Sequence, residues 1–110
     1  MSKDIRLEIN GIRFSWDEDK ARVNWKKHGI SFEAAAWAFF DPDSIDLRNS
    51  KHDDDEPRRH IIAAIPSVIN IVFVVYVERI DYNDGEVIRI ISARKANGKE
   101  RKLYEQGLSR

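Results

Sequence analysis

Lys27, His28, Arg59, Glu78 and Arg94 are spread across this 110-residue chain, and together they have the chemistry to handle a phosphodiester. An imidazole titrates near neutrality and can give or take a proton. A carboxylate at the end of an apolar strand, the setting of Glu78, is costly unless exposed or paired, which makes it a candidate base with Arg79 or Arg94 nearby. Arginine forks grip phosphate oxygens bidentately, and Arg58 competes with Arg59 for that contact. Each group also has a plain structural role open to it. His28 can cap a helix beside Trp25, Lys27 can be a solvated last-turn lysine, Glu78 can form a cross-strand ion pair, and Arg59 can answer an acidic tract.

The formal charge is zero, from 19 cations and 19 carboxylates, yet it is unevenly spread. Residues 89–110 hold seven Lys or Arg against two Glu, whereas residues 43–56 hold six Asp or Glu against two cations. Local sign decides where phosphates collect, so Lys95, Lys99 and Arg101 are candidate RNA contacts. A 42% hydrophobic share supports one core and a 35% charged share an ionised surface, which points to a single domain over 1–110. The absence of cysteine rules out a disulfide framework and a thiolate metal site. His52 with Asp53, Asp54, Asp55 and Glu56 resembles a ligand set, but consecutive loop positions rarely converge on one ion. No metal or cofactor is therefore expected. The first ten residues lack a signal-like apolar stretch, and the apolar run 71–77 is too short to cross a bilayer, so a cytoplasmic protein with no membrane role is expected.

Hydrophobic periodicity sets out the strands and helices that carry these groups. Ile12, Phe14 and Trp16 alternate as in a strand, and Asp17 then offers a helix cap. Acidic Glu18 and Asp19 open that helix, basic Lys26, Lys27 and His28 close it, and Gly29 ends it. The spacing of Ala21, Trp25 and His28 predicts an inward aromatic stripe. Ser31 caps a second helix to about Phe40, ended by Asp41-Pro42, and Trp37 falls off its stripe as a candidate interface residue. Ile45 and Leu47 suggest a short strand, residues 48–58 an acidic loop, and 60–65, 68–79 and 86–94 an antiparallel meander. Alternation aims Arg89 and Arg94 at opposite faces, and Glu78 and Arg79 likewise. Asn97 with Glu100 forms a capping box for a last helix that turns Leu103 and Tyr104 inward. Residues 1–11 stand as an N-terminal extension.

The order of these pieces resembles a known family. Trp16-Asp17, Lys20, Asn24, Lys27-His28-Gly29 and Ser31-Phe32, then Phe40-Asp41-Pro42, Glu78-Arg79, 89–94 (RIISAR) and Glu100-Arg101 look like the BrnT family of type II toxins. The resemblance spans residues 14–104. It implies an α+β, RelE-like fold, with two N-terminal helices and a C-terminal helix packed on an antiparallel meander. It also implies an endoribonuclease that halts translation and a BrnA-like antitoxin. The two would form a heterotetramer of two copies each, with operator DNA contacted through the antitoxin. The chain departs from the pattern after Arg59, where His60, Ile61, Ile62, Ala63 and Ala64 stand in place of an Arg-aromatic-x-Ala-x-Gly strand.

Metal-independent cleavage of RNA needs a base for the ribose 2′-hydroxyl, an acid for the leaving oxygen and cations around the phosphate. Such chemistry requires Lys27, His28, Arg59, Glu78 and Arg94 to converge in one pocket. A nucleic-acid-binding module without chemistry, or a protein-interaction domain using the acidic loop and basic helix, would need no such convergence.

Overall fold

Ile5, Leu7 and Ile9 alternate with charged residues just as Ile12, Phe14 and Trp16 do. Between the two runs Asn10 and Gly11 take positive φ, 49° and 84°, as a two-residue type I′ hairpin turn requires. The result is an antiparallel hairpin of β1 (Asp4–Ile9) and β2 (Ile12–Asp17), paired from Ile9↔Ile12 to Asp4↔Asp17. The computed structural model describes residues 3–48, 58–66, 68–83 and 85–108, with backbone alone at 48, 68 and 69. The expected extension thus carries a strand. Most of the expected acidic loop, with His52, lies outside the described residues.

β2 runs directly into α1 (Glu18–His28). The Asp17 carboxylate accepts the Lys20 N–H at 2.9 Å, and Gly29, at φ 67°, closes the helix by donating its N–H to the Trp25 carbonyl at 2.8 Å. Ser31 caps α2 (Phe32–Ala35) through a 3.1 Å bond from the Ala34 N–H. The second helix expected to reach Phe40 is a single α-turn that tightens into a 3₁₀ turn, Ala36–Phe40. Asp41 before Pro42 is already extended, at φ −80° and ψ 114°, so the chain leaves the helix in its tightest form.

β3 (Ile45–Arg48), β4 (Arg59–Ile65), β5 (Val68–Asp81) and β6 (Gly85–Lys95) then form an antiparallel meander, and α3 (Gly98–Leu108) follows. The sheet as a whole is not a meander. Its order is β1-β2-β6-β5-β4-β3, with β2 parallel to β6 through Phe14↔Ile88 and Ser15↔Arg89. The protein is α+β with a mixed sheet, because α1 and α2 carry the chain from β2 across to β3 at the far edge, and the meander then returns to lay β6 beside β2. No local pattern encodes that pairing.

One face of the sheet, the core face, carries Phe14, Trp16, Ile61, Val74, Tyr76, Ile90 and Ala93 beneath α2 and the 3₁₀ turn. Edge-on aromatic packing joins the layers, with Trp16 and Phe32 centroids 6.0 Å apart and Phe39 and Tyr76 4.8 Å apart. The other face, the α3 face, holds a smaller cluster of Ile62, Phe73 and Tyr104. Of the two residues expected to turn inward from α3, only Tyr104 is buried, while Leu103 is exposed. The Tyr104 hydroxyl donates to Asp41 at 2.7 Å, and the same carboxylate accepts the Ala64 N–H at 2.8 Å, tying α3 to the end of the 3₁₀ turn. The reciprocal bonds of Asn97 and Glu100, 2.8 and 2.9 Å, complete the expected capping box.

Candidate functional site

The residue that places Lys27 and His28 is Asn24. The expected stripe of Ala21, Trp25 and His28 does not face the core: Trp25 is 57% exposed, His28 is exposed, and Asn24 is the buried residue of α1. The physical reason is that α1 closes a sheet edge instead of lying flat on the core. β2 pairs with β6 only at Phe14 and Ser15, so farther along β6 the backbone of Ala93 needs another partner. The Asn24 side chain supplies it. Its Oδ1 accepts the Ala93 N–H at 3.0 Å, and its Nδ2 donates to the Ala93 carbonyl at 2.8 Å and to the Ile30 carbonyl at 3.0 Å. The amide thus stands in for the peptide of a neighbouring strand. One turn later Lys27 and His28 line a groove of about 330 Å³ with Lys20, Val23, Asn24, Ile91, Ser92 and one carboxylate, Asp19.

The face on which Arg94 stands is set by a β-bulge. Val75 pairs with Ser92 and Tyr76 with Ile90, so Ile91 is an extra residue in β6. A one-residue insertion reverses the parity of everything beyond it. Arg89, opposite Val77, and Arg94, opposite Phe73, therefore share the α3 face instead of lying on opposite faces as strict alternation predicts. Arg94 makes a two-pronged contact with Glu100, at 2.8 and 2.9 Å, and its guanidinium carbon sits 4.2 Å from the centre of the Phe73 ring. Arg89 reaches Ser15 at 3.3 Å and Asp4 at 3.0 Å.

Glu78 and Arg59 belong to the core face. Arg59 pairs in register with Tyr76, and Glu78 follows Tyr76 by two residues on the same side of β5. The cation that answers Glu78 is Arg59, through a direct salt bridge, and not Arg79 or Arg94 as the sequence suggests. Beside them the Tyr76 hydroxyl donates to Asp46 at 2.8 Å. The five residues therefore do not converge in one pocket. Lys27, His28 and Arg94 are gathered toward the α3 face of β6, while Arg59 and Glu78 form a pair on the reverse side. Lys95, Lys99 and Arg101 are exposed at the entry to α3 and along its first turn.

Two further residues belong to this region without being among the site residues expected from the sequence, where Glu100 is read as a helix cap and His60 as part of a strand. Glu100 is drawn upward by burial, but the Arg94 fork, the Asn97 N–H and the Arg94 charge outweigh that and hold its carboxyl below the usual value. His60 lies opposite Val75 on the α3 face, with its ring 5.0 Å from Phe73. Burial lowers its pKa, with the Arg94 and Arg58 charges acting the same way and Glu100 and Asp46 against them. Alternation in 59–65 was the signal that separates His60 from Arg59.

A sheet face that gathers lysine, histidine and arginine side chains from a helix end and a strand is one that can hold a polyanion. Residues 16–100 match the family model described as "Ribonuclease toxin, BrnT, of type II toxin-antitoxin system", and the chain belongs to that family. Membership identifies it as a ribonuclease toxin whose partner is a protein antitoxin. No curated protein matches the chain. Among the described residues no helix is long and apolar enough to cross a membrane.

Proposed function

We propose that the protein cuts RNA without a metal ion, in the cytoplasm, and so stops translation until its antitoxin binds. The observation that carries this reading is that Lys27 and His28 share a groove with Ser92, while Ser92 and Arg94 project from one face of β6. A phosphodiester lying along that face meets an imidazole for proton transfer and cations for the phosphoryl oxygens. The attacking group is the ribose 2′-hydroxyl of the substrate itself, which needs no metal-activated water. Lys95, Lys99 and Arg101 extend the positive path along which the strand would run. The Arg59–Glu78 pair enters as a brace between β4 and β5 on the other face.

The antitoxin is proposed to be BrnA-like, in a heterotetramer with two copies of each chain that contacts operator DNA through the antitoxin. The test is incubation of the purified protein with RNA in the presence of EDTA, with and without the antitoxin. Fragments ending in a 2′,3′-cyclic phosphate and a 5′-hydroxyl, suppressed by the antitoxin, are expected. RNA recovered intact after tight, salt-dependent binding would overturn the reading.

A further inference from the structure

We propose that His60 is a proton-transferring residue of this nuclease site, facing His28 across a floor made by Val75 and Ser92. The proposal rests on the ribonuclease reading above and names a residue within it.

The sheet register carries the argument. His60 on β4 pairs with Val75 on β5, and Val75 pairs with Ser92 on β6. Ser92 in turn lines the groove that holds Lys27 and His28. These residues form one transverse row on the α3 face, with an imidazole at each end. Neighbouring strands lie about 4.8 Å apart, so the His60 and Ser92 backbones are separated by roughly 10 Å. That span suits a ribose and its phosphate lying over Val75 and Ser92, both only half-buried.

The His60 ring is packed but not tied. It rests on Phe73, is half-buried, and none of the hydrogen bonds found among the described residues involves its nitrogens. Both are available to a ligand. The charges that act on it are Arg94 from β6 and Glu100 from α3, Arg58 beside it in the chain, and, from the core face, Asp46 of β3. Burial and the two guanidiniums favour the neutral ring, outweighing the two carboxylates, which suits a base at neutral pH.

In the step itself His60 takes the proton of the 2′-hydroxyl as that oxygen bonds to phosphorus. The bond from phosphorus to the 5′-oxygen breaks, and protonated His28 gives its proton to the departing oxygen. Lys27 and Arg94 hold the phosphoryl oxygens. The products are a 2′,3′-cyclic phosphate and a 5′-hydroxyl, and water returns each imidazole to its starting state.

The experiment measures cleavage of a labelled RNA by wild type, Lys27→Ala, His60→Phe and His60→Gln from about pH 5 to 9, the range in which an imidazole titrates. Phenylalanine keeps the contact with Phe73 without a titrating group, and glutamine serves the same comparison should His60→Phe melt early. Loss of about 10²–10⁴-fold in rate, with an unchanged melting temperature and disappearance of the acid limb of the pH profile, is expected. A His60 variant that cuts like wild type, or is slower with the acid limb intact, overturns the proposal. Wild type and the His60 variants cutting alike while Lys27→Ala is inactive would remove His60 alone. No cutting by wild type would remove the nuclease reading with it.

Discussion

Asn24→Ala tests how the site is held in place. Asn24 is 6% exposed, and its amide serves three main-chain groups, the Ala93 N–H, the Ala93 carbonyl and the Ile30 carbonyl. Each such bond contributes about 1 kcal/mol net, and a buried group left without a partner costs about 1–3 kcal/mol. Truncation is therefore expected to cost about 3–5 kcal/mol. A domain of this size melts roughly 4 °C lower for each kcal/mol lost, so the expected drop is roughly 12–20 °C. Asn24→Asp should be at least as damaging, since it keeps the acceptor for the Ala93 N–H but sets a carboxylate oxygen against two carbonyls. Thermal melts and urea titrations of both variants, beside exposed Lys26→Ala on the same helix, make the comparison. The control should stay within about 0.5 kcal/mol of the parent. An Asn24→Ala protein within about 1 kcal/mol of the parent would refute the claim that this amide closes the edge of β6.

Gly29→Ala isolates the left-handed cap of α1. At φ 67° an added Cβ meets nothing within 4 Å, so the penalty is conformational, about 1–2 kcal/mol, and unchanged melting would contradict it. Glu100 predicts a pH dependence. Its folded pKa is depressed, so the stability it contributes is present above its ordinary value of 4.5 and is lost as pH falls through the lowered value. Melting temperatures of wild type and Glu100→Gln should differ at neutral pH and converge as pH falls below 4.5; curves that stay parallel would argue against the Arg94–Glu100 contact.

The caps were legible because each is local. Asp17 with Lys20, Ser31 with Ala34, and Asn97 with Glu100 are all three residues apart, and Gly29 needs only its own backbone freedom. β1 was legible too, in Ile5, Leu7 and Ile9 leading to Asn10-Gly11, although reading residues 1–11 as an extension passes over it. What the sequence hid is long-range or depends on parity. Asn24 and Ala93 are 69 positions apart, and a polar residue between Val23 and Trp25 gives no sign that it is the buried one. Ile90 and Ile91 read as ordinary apolar strand, yet Ile91 is the bulged residue that turns Arg89 and Arg94 to the same side. Lys27 and His28 could be picked out by type, but their face depends on where β2 stops pairing. Glu78 needed a partner, and Arg59, 19 positions away on another strand, could not be chosen over Arg79 or Arg94 without the register.

If the α3 face beside α1 cuts RNA, loss of the Lys27 side chain must slow cutting, and this exposed side chain can be removed with little effect on folding. The decisive measurement is the single-turnover cleavage rate, in EDTA, of wild type against Lys27→Ala at matched folded concentration. Metal-free cleavage by wild type and a loss of about 10²-fold or more in the variant are expected. Equal rates for the two proteins would contradict cutting by the α3 face.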